Sequence, residues 1–306
     1  MDIEVRPLVD ADLDLADHVF RDAFGTFLGV DMFGDTDLIR TRFRASHVAA
    51  LGAFDGGELV GSTLATRWGS VAYLGPLSVT PKLWDAGVGA RLVEVTVDVF
   101  SGWGTTHQGL FTFANSPKHH RLYQKFGFWP RFLTAVMSRP VTGSEPGLGW
   151  LLSAAEDRRE LTDACAEVTE AILPGLDVGG EIDAVLDQGL GDVVLVGEPS
   201  APSAFAVCHA GAGTEAGTGI AYVKFAAVRP GHGADARFAA LLTACQGYAA
   251  ASGAARLVLG VNTARHAAYR HLVGAGFRTD MPAVTMHRPN EPGYDREDVY
   301  LLDDWR

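Results

Sequence analysis

The chain has 306 residues, 47% of them hydrophobic, and a formal net charge of −12. Its length suits two domains of about 150 residues each, and its acidic balance leaves no electrostatic footprint for DNA or RNA, so we expect no nucleic-acid partner. The N-terminus lacks the basic and apolar stretches of a signal peptide, and no run reaches the ~18 apolar residues of a membrane span. We therefore expect a cytoplasmic protein with no membrane partner.

The first half is predicted to alternate between strands and helices. Hydrophobic periodicity predicts strands at 3–9, 49–54, 58–66, 71–79, 110–113 and 132–138, and helices at 10–24, 37–47, 87–100 and 116–127. Asp55-Gly56-Gly57 supplies the turn of a hairpin, because glycine tolerates positive φ. Ser116-Pro117 indicates a helix start, since a capping residue is followed by proline at the first helical position.

The stretch at 140–149 is rich in proline, glycine and serine, and we interpret it as a linker between domains at 1–140 and 150–306. The second half predicts helices at 154–172, 181–188, 234–251 and 264–273, and strands at 193–197, 203–209, 219–228, 256–261 and 283–288. The tail at 301–306 either folds back over the interface between the halves, with Trp305 as anchor, or frays. Cys165, Cys208 and Cys245 share no metal-ligand spacing, so we expect buried thiols and no metal site.

The two halves resemble each other at a constant separation of 149 residues. Ala72-Tyr73 recurs as Ala221-Tyr222, and Gly127-Phe128 recurs as Gly276-Phe277. Matches at one fixed offset indicate a structural unit used twice. Each half has the predicted order β-α-α-β-β-β-α-β-α-β, so we expect an α/β fold with helices on both faces of a mixed sheet.

The halves differ in the loop that follows a shared proline. The first half has Gly87 and Gly89 where a strand leads into a helix, whereas the second half has Ala236 and Phe238 at the matching positions. Free N–H groups at a helix start bind anions, and glycine lets a phosphate approach them. Leu92 occupies the third glycine of the dinucleotide fingerprint, and no Gly-Lys-Ser/Thr ending is present. The pattern therefore predicts a phosphate site in the first half and its loss in the second.

Three segments together resemble the GNAT acetyltransferase superfamily: Leu77-Ser78-Val79-Thr80-Pro81, the Gly87-Val88-Gly89 loop, and Asn115 followed by Tyr123-Gln124-Lys125-Phe126-Gly127-Phe128. The resemblance covers both halves in element order, and its motif is specific in the first half alone. It implies two tandem GNAT-like acyl-CoA N-acyltransferase domains, the second one degenerate, with acetyl-CoA as cofactor. Trp84 departs from the pattern, because the family usually has Gln or Arg at this position.

The resemblance also implies roles for first-half residues. The strand at 77–79 would hydrogen-bond the pantetheine arm and polarise the thioester, the loop at 85–90 would cradle the pyrophosphate, and Asn115 would bond the arm or an ordered water. Tyr123 would protonate the departing thiolate. The implied cofactor-binding residues are Leu77, Ser78, Val79, Trp84, Asp85, Ala86, Gly87, Val88, Gly89, Ala90 and Asn115.

The base that deprotonates the amine is open from sequence alone. His119 lies four residues before Tyr123, on the same face of the predicted helix, and His120 lies three before it. Either histidine is suited to act as a base or is an ordinary solvated residue at a helix start. Tyr123 and His119 are the catalytic candidates. In the second half Leu272 stands where Tyr123 is expected.

Three functions are compatible with these patterns. The first is an acetyl-CoA-dependent N-acetyltransferase that transfers the acetyl group directly to a primary amine of a small molecule or peptide, since the first half has no cysteine to form an acyl-enzyme. The second is a non-catalytic acyl-CoA-binding or sensor protein, motivated by Trp84 and by the absence of an obvious base. The third is a structural module with two inactive copies. The sequence identifies neither the acceptor nor the oligomeric state.

Overall fold

The computed structural model describes residues 3–31, 33–142 and 149–306, and its strands join one mixed sheet. The first-half strands are β1 (Ile3–Pro7), β2 (Val48–Asp55), β3 (Glu58–Trp68), β4 (Val71–Val79), β5 (His107–Thr112) and β6 (Trp129–Pro140). The first-half helices are α1 (Leu13–Leu28), α2 (Leu38–Phe43), α3 (Val88–Gly102) and α4 (Pro117–Gln124). The mixed α/β fold predicted from the sequence is confirmed.

The second half repeats this order of elements. Its strands are β7 (Trp150–Leu151), β8 (Gly191–Glu198), β9 (Ala201–Gly211), β10 (Gly217–Val228), β11 (Arg256–Asn262), β12 (Arg278–Arg288) and β13 (Leu301–Leu302). Its helices are α5 (Arg158–Glu170), α6 (Gly179–Asp187), α7 (Ala234–Ala251) and α8 (His266–Gly274). The strand order across the sheet is β1-β2-β3-β4-β5-β12-β6-β11-β10-β9-β8-β7, with β13 paired to β10.

The equivalent strands β6 and β12 are exchanged between the halves at the centre of the sheet. β12 lies beside β5, where Val284 pairs with Thr112, and β6 lies beside β11, where Ala135 pairs with Val261. These two pairings are related by the 149-residue offset. β6 and β12 also pair with each other, and Thr134 lies opposite Ala283, its own counterpart at that offset. The two halves therefore share one continuous sheet.

Alternation along β3 places helices on opposite faces of the sheet. Leu64 packs in the apolar cluster of α1, which also contains Phe20, whereas its neighbour Ala65 packs in a cluster with Val93 of α3. Successive side chains of a strand point to opposite faces, so α1 and α3 lie on different sides. The apolar face of α1 follows helical spacing and buries Leu13, Ala16, Val19, Phe20 and Ala23.

The first helix starts later than the sequence predicts. Residues Asp10–Asp12 form a 3-10 turn, and α1 begins at Leu13. Asp12 accepts a hydrogen bond from the Val9 N–H at 3.0 Å and pairs with Arg6 at 2.9 Å, which fixes the tighter turn before the helix. The helix predicted to start at residue 10 therefore starts three residues later.

A buried chain of charges links the two halves. The Arg42 guanidinium donates to the Gly75 carbonyl of β4 at 2.9 Å and pairs with Glu215 at 2.7 Å, and Glu215 also pairs with Lys224 of β10. Gly75 and Lys224 are counterparts at the 149-residue offset, and each lies where the register of its strand shifts. Buried charges are stable when paired in this way.

The C-terminal tail is folded back and buried. Trp305 is 3% exposed, stacks near Tyr73 of β4 with ring centroids 6.4 Å apart, and donates from Nε1 to the Tyr294 hydroxyl at 2.7 Å. Its ring lies so close to Gly109 of β5 that any side chain there would clash. Of the two arrangements left open for the tail, the structure therefore has the folded one.

The remaining predictions concern the cysteines, membrane spans, metal ligands and the linker. The cysteines Cys165, Cys208 and Cys245 are buried free thiols. Across 3–31, 33–142 and 149–306, no helix is long and apolar enough to cross a membrane, and no group of three or more His, Cys, Asp or Glu is placed to hold a metal. Most of the predicted linker, 143–148, lies outside the described residues.

Candidate functional site

A gap opens where β4 and β5 stop pairing. The parallel register runs from Val71 opposite His107 to Leu74 opposite Leu110 and goes no further. Beyond Leu74, the register between β4 and β3 shifts at a bulge, which bends a strand and ends its regular pairing. We call the gap beyond Leu74 and Leu110 the β4–β5 wedge. Backbone groups of β4 at 77–79 pair with β3 on one side and face this wedge on the other.

A cavity of about 480 Å³ occupies the wedge and extends along α1, α3 and α4. Eight of the predicted cofactor-binding residues line it: Leu77, Ser78, Val79, Trp84, Asp85, Gly87, Gly89 and Ala90. The predicted base His119 also lines it. Ala86, Val88, Asn115 and Tyr123 are not among its lining residues.

The loop before α3 is held open by glycine and by a tryptophan hydrogen bond. Gly87 caps α3 with φ of +92°, a conformation that favours glycine, and the space beside its Cα is open. The first N–H groups of the helix have no partner within the helix. The indole of Trp84 donates to the Val79 carbonyl at 2.8 Å, which ties the loop to the end of β4. Helix N-termini with free N–H groups attract anions, so this loop is built for a phosphate group.

Three cations, two in α4 and one at its C-cap, line the same cavity, and sequence reasoning missed them. They are Lys118, Arg121 and Lys125. The Lys118 ammonium pairs with Asp85 at 3.1 Å and lies 5.0 Å from the centre of the Trp84 ring. The GNAT pattern usually has Gln or Arg at position 84, where this chain has Trp84. Lys118 places a positive charge beside that position instead. The sequence feature that could have revealed them is the i, i+3 and i+7 spacing of basic residues after the Ser116-Pro117 helix start, which places them on one helix face.

Tyr123 lies one layer behind the cavity wall. It is 5% exposed and belongs to the apolar cluster against which the lining residues Leu77 and Leu122 pack. Burial raises the pKa of its hydroxyl, so it is protonated at neutral pH. Asn115 is exposed and lines a separate depression with Pro117. The site thus brings the loop and β4 together but not Asn115.

His119 points toward the aromatic rings of Phe27 in α1 and of Phe113, the residue after β5. Its ring centroid is 5.0 Å from Phe27 and 5.8 Å from Phe113, and its Nδ1 is buried without a hydrogen-bond partner among the described residues. Burial, followed by the charges of Lys118 and His120, lowers the pKa of His119 to about 4. The imidazole is therefore neutral at pH 7 and able to accept a proton, but it is a weak base.

The equivalent gap in the second half is filled by the chain itself. β10 and β11 pair from Ile220 opposite Arg256 to Val223 opposite Leu259, the same register as β4 and β5 at the 149-residue offset. Beyond that point β13 pairs with β10, placing Leu302 opposite Ala226. Ala226 is the counterpart of Leu77. We call this filled gap the β10–β11 wedge.

The loop of the second half is also closed. α7 begins at Ala234, three residues earlier than α3 begins when the two are aligned, so the residues that match the glycine loop are helical. Phe238, the counterpart of Gly89, is fully buried, and its ring centroid is 5.1 Å from that of Tyr300 in the tail. Arg265 holds the tail by donating to the Leu301 carbonyl at 2.8 Å.

Comparison with known proteins bears on the first half most directly. Residues 16–128 match the sequence model of the Acetyltransferase (GNAT) family. This match makes the first half of the chain similar to that family. Members of that family use acetyl-CoA. A search of curated proteins gave no match to this sequence.

Solved structures resemble nearly the whole chain. A candidate acetyltransferase from Pyrococcus horikoshii has 15% identity and a TM-score of 0.66, with 97% of this chain and 93% of that chain covered. A GCN5-related N-acetyltransferase from Sphaerobacter thermophilus has 16% identity and a TM-score of 0.61, with 93% and 95% covered. At these identities the likeness establishes the fold alone, and the fold matches that of GNAT acyltransferases.

Proposed function

We propose that the chain is an acetyl-CoA-dependent N-acetyltransferase that acts on a primary amine of a small molecule or peptide at a site in the β4–β5 wedge. One observation carries the proposal: an open wedge beside β4 leads to a glycine loop at a helix start. The family match of residues 16–128, which include this loop, supports it.

The residues around the wedge fit a thioester cofactor with phosphate groups. The N-terminus of α3 and the cations Lys118, Arg121 and Lys125 would hold the phosphates. The free edge of β4 at 77–79 would bond the amide groups of the arm, as a neighbouring strand does. The bound cofactor supplies the acetyl group as an activated thioester.

The protein's own residues would orient the reactants and move protons. Tyr123 is held protonated by burial, one layer behind Leu77, and would donate its proton to the departing thiolate. His119 is neutral at pH 7, so it is available to take a proton from the amine nitrogen. Because both residues lie on α4, one helix would position both proton transfers.

The experiment compares wild type with Tyr123→Phe by acetyl-CoA calorimetry and by thiol release with a panel of amines. We expect the variant to bind acetyl-CoA as the wild type does and to lose turnover by about 100-fold, the scale of general acid catalysis. Unchanged turnover would exclude Tyr123 as the acid. Absence of acetyl-CoA binding by the wild type would contradict the proposed function itself.

A non-catalytic acyl-CoA sensor is the second candidate. Two observations favour it: Tyr123 is not among the residues that line the cavity, and burial leaves His119 a weak base. The two candidates differ in one result. Tight acetyl-CoA binding without thiol release for any amine of the panel would favour the sensor.

The finer domain assignments belong to the same proposal. We infer tandem GNAT-like domains at 1–140 and 150–306, with the second degenerate. Because β6 pairs with β11 and β12 pairs with β5, we expect the two domains to fold together as one unit. We infer a cytoplasmic location from the sequence pattern described above.

A further inference from the structure

The cavity has an aromatic end beside α1. Phe24 and Phe27 of α1 and Phe113 after β5 line it together with His119. Phe27 and Phe113 have ring centroids 4.7 Å apart, and Phe24 lies 6.3 Å from Phe113. These distances are those of packed aromatic pairs, so the rings form one continuous apolar surface.

This aromatic end opens to solvent. Phe27 is 38% exposed, although it is a large apolar side chain that packs against Phe113. A closed pocket for an acyl chain would bury this ring on every side. The opening instead gives a second molecule a path into the cavity that does not pass the glycine loop before α3.

The cavity offers nothing to neutralise an ammonium group. Asp85 is the one carboxylate among its described lining residues, and Lys118 already pairs with it. The other charged lining residues, Arg121 and Lys125, are cations. An alkylammonium that entered would lose its hydration without gaining a counter-charge, which is costly. His119, a weak base in this environment, is poorly suited to remove a proton from it.

We propose that the acceptor is a hydrophobic aromatic amine, uncharged at neutral pH, whose ring stacks against Phe27 and Phe113. The inference rests on the proposed function and names the substrate class of the same site. An aromatic amine arrives with its nitrogen lone pair free, so no strong base is needed before attack. The amine nitrogen forms the C–N bond as the C–S bond breaks, its surplus proton passes to His119, and the sulfur takes a proton from Tyr123.

The test uses the full chain with two acceptors of similar size, aniline and cyclohexylamine, the second of which is charged at neutral pH. We expect kcat/KM for aniline to exceed that for cyclohexylamine at least tenfold at pH 7. Phe27→Ala should raise KM for aniline by about 2- to 12-fold, which corresponds to the loss of one aromatic contact. The Kd of acetyl-CoA, measured by calorimetry, should stay unchanged in that variant.

Phe132→Ala is the matched control, because Phe132 is 61% exposed and is not among the residues that line the cavity. This variant should leave KM for aniline and the Kd of acetyl-CoA at their wild-type values. Cyclohexylamine used as well as aniline would overturn the inference alone. An equal loss of acetyl-CoA affinity in Phe27→Ala would also overturn it, since the rings would then serve the cofactor arm. Failure of the wild type to bind acetyl-CoA would overturn the proposed function and this inference together.

Discussion

The β4–β5 wedge and the β10–β11 wedge begin at equivalent residues, but one is a cavity and the other is filled with protein. In the first, Leu77 and Gly89 line the cavity. In the second, their counterparts Ala226 and Phe238 contact the tail, Ala226 through pairing with Leu302 and Phe238 through the Tyr300 ring. The strands diverge in both places, so divergence alone does not make a site.

The comparison shows that the second half lacks an open site because its own chain packs into the equivalent gap. An open wedge leaves unpaired backbone groups on β4, and such groups need a partner. The second half supplies that partner from its own chain, and replacing glycine with Phe238 extends α7 through the loop. A ligand of the first half would therefore take the position that β13 takes in the second.

The largest expected effect comes from emptying the filled wedge. Leu302→Ala removes a fully buried side chain from the β10–β11 wedge, so we expect the free energy of unfolding to fall by about 2–5 kcal/mol. Urea denaturation measures it. Leu15→Ala is the control, because Leu15 is 41% exposed and should change stability by less than about 0.5 kcal/mol. Equal stability of both variants would mean that the tail does not fill this wedge.

A second effect concerns the pH dependence of stability and a residue that does not line the cavity. Burial lowers the pKa of His209 in β9 to about 4, below the ordinary value of 6.5. Between these pH values the unfolded chain binds more protons, so stability is lost as pH falls from 6.5 toward 4, by about 3 kcal/mol for this group. Thermal melts across this range measure the loss. His209→Gln should flatten the profile, and an unchanged slope would assign the acid sensitivity elsewhere.

The smallest effect concerns the cations of the open wedge. Lys125→Ala should weaken acetyl-CoA binding by about three- to tenfold, since one charge-assisted contact to a phosphate is lost. The difference should shrink at high salt because screening weakens exposed charges. Lys82→Ala, an exposed cation that is not among the lining residues, is the matched control. If both variants lost acetyl-CoA affinity equally, the loss would come from the change in net charge and not from a contact between Lys125 and a phosphate.

Most of the fold was predictable because its signals are local. The strand predicted at 71–79 and the helix predicted at 234–251 have the bounds observed for β4 and α7. The 149-residue offset reappears in strand register, with Leu74 opposite Leu110 and Val223 opposite Leu259. Periodicity and glycine turns specify such elements without reference to distant residues.

The remaining features depend on contacts between distant residues. Nothing local indicates that β12 pairs with β5, that Arg42 pairs with Glu215, or that Leu302 fills a gap beside Ala226. The same limit applies to the site. The glycine loop could be predicted from the sequence. The aromatic end of the cavity and the contact between His119 and Phe27 could not, because they depend on how α1 packs on the sheet.

The most direct test of a single open wedge is calorimetric titration of acetyl-CoA into the wild type, Gly89→Glu and Ala236→Glu. Glu at position 89 would place a negative side chain in the cavity, whereas Ala236 is exposed on the closed half. We predict one site per chain, lost in Gly89→Glu and retained in Ala236→Glu. Two sites in the wild type, or binding that survives Gly89→Glu, would contradict the account.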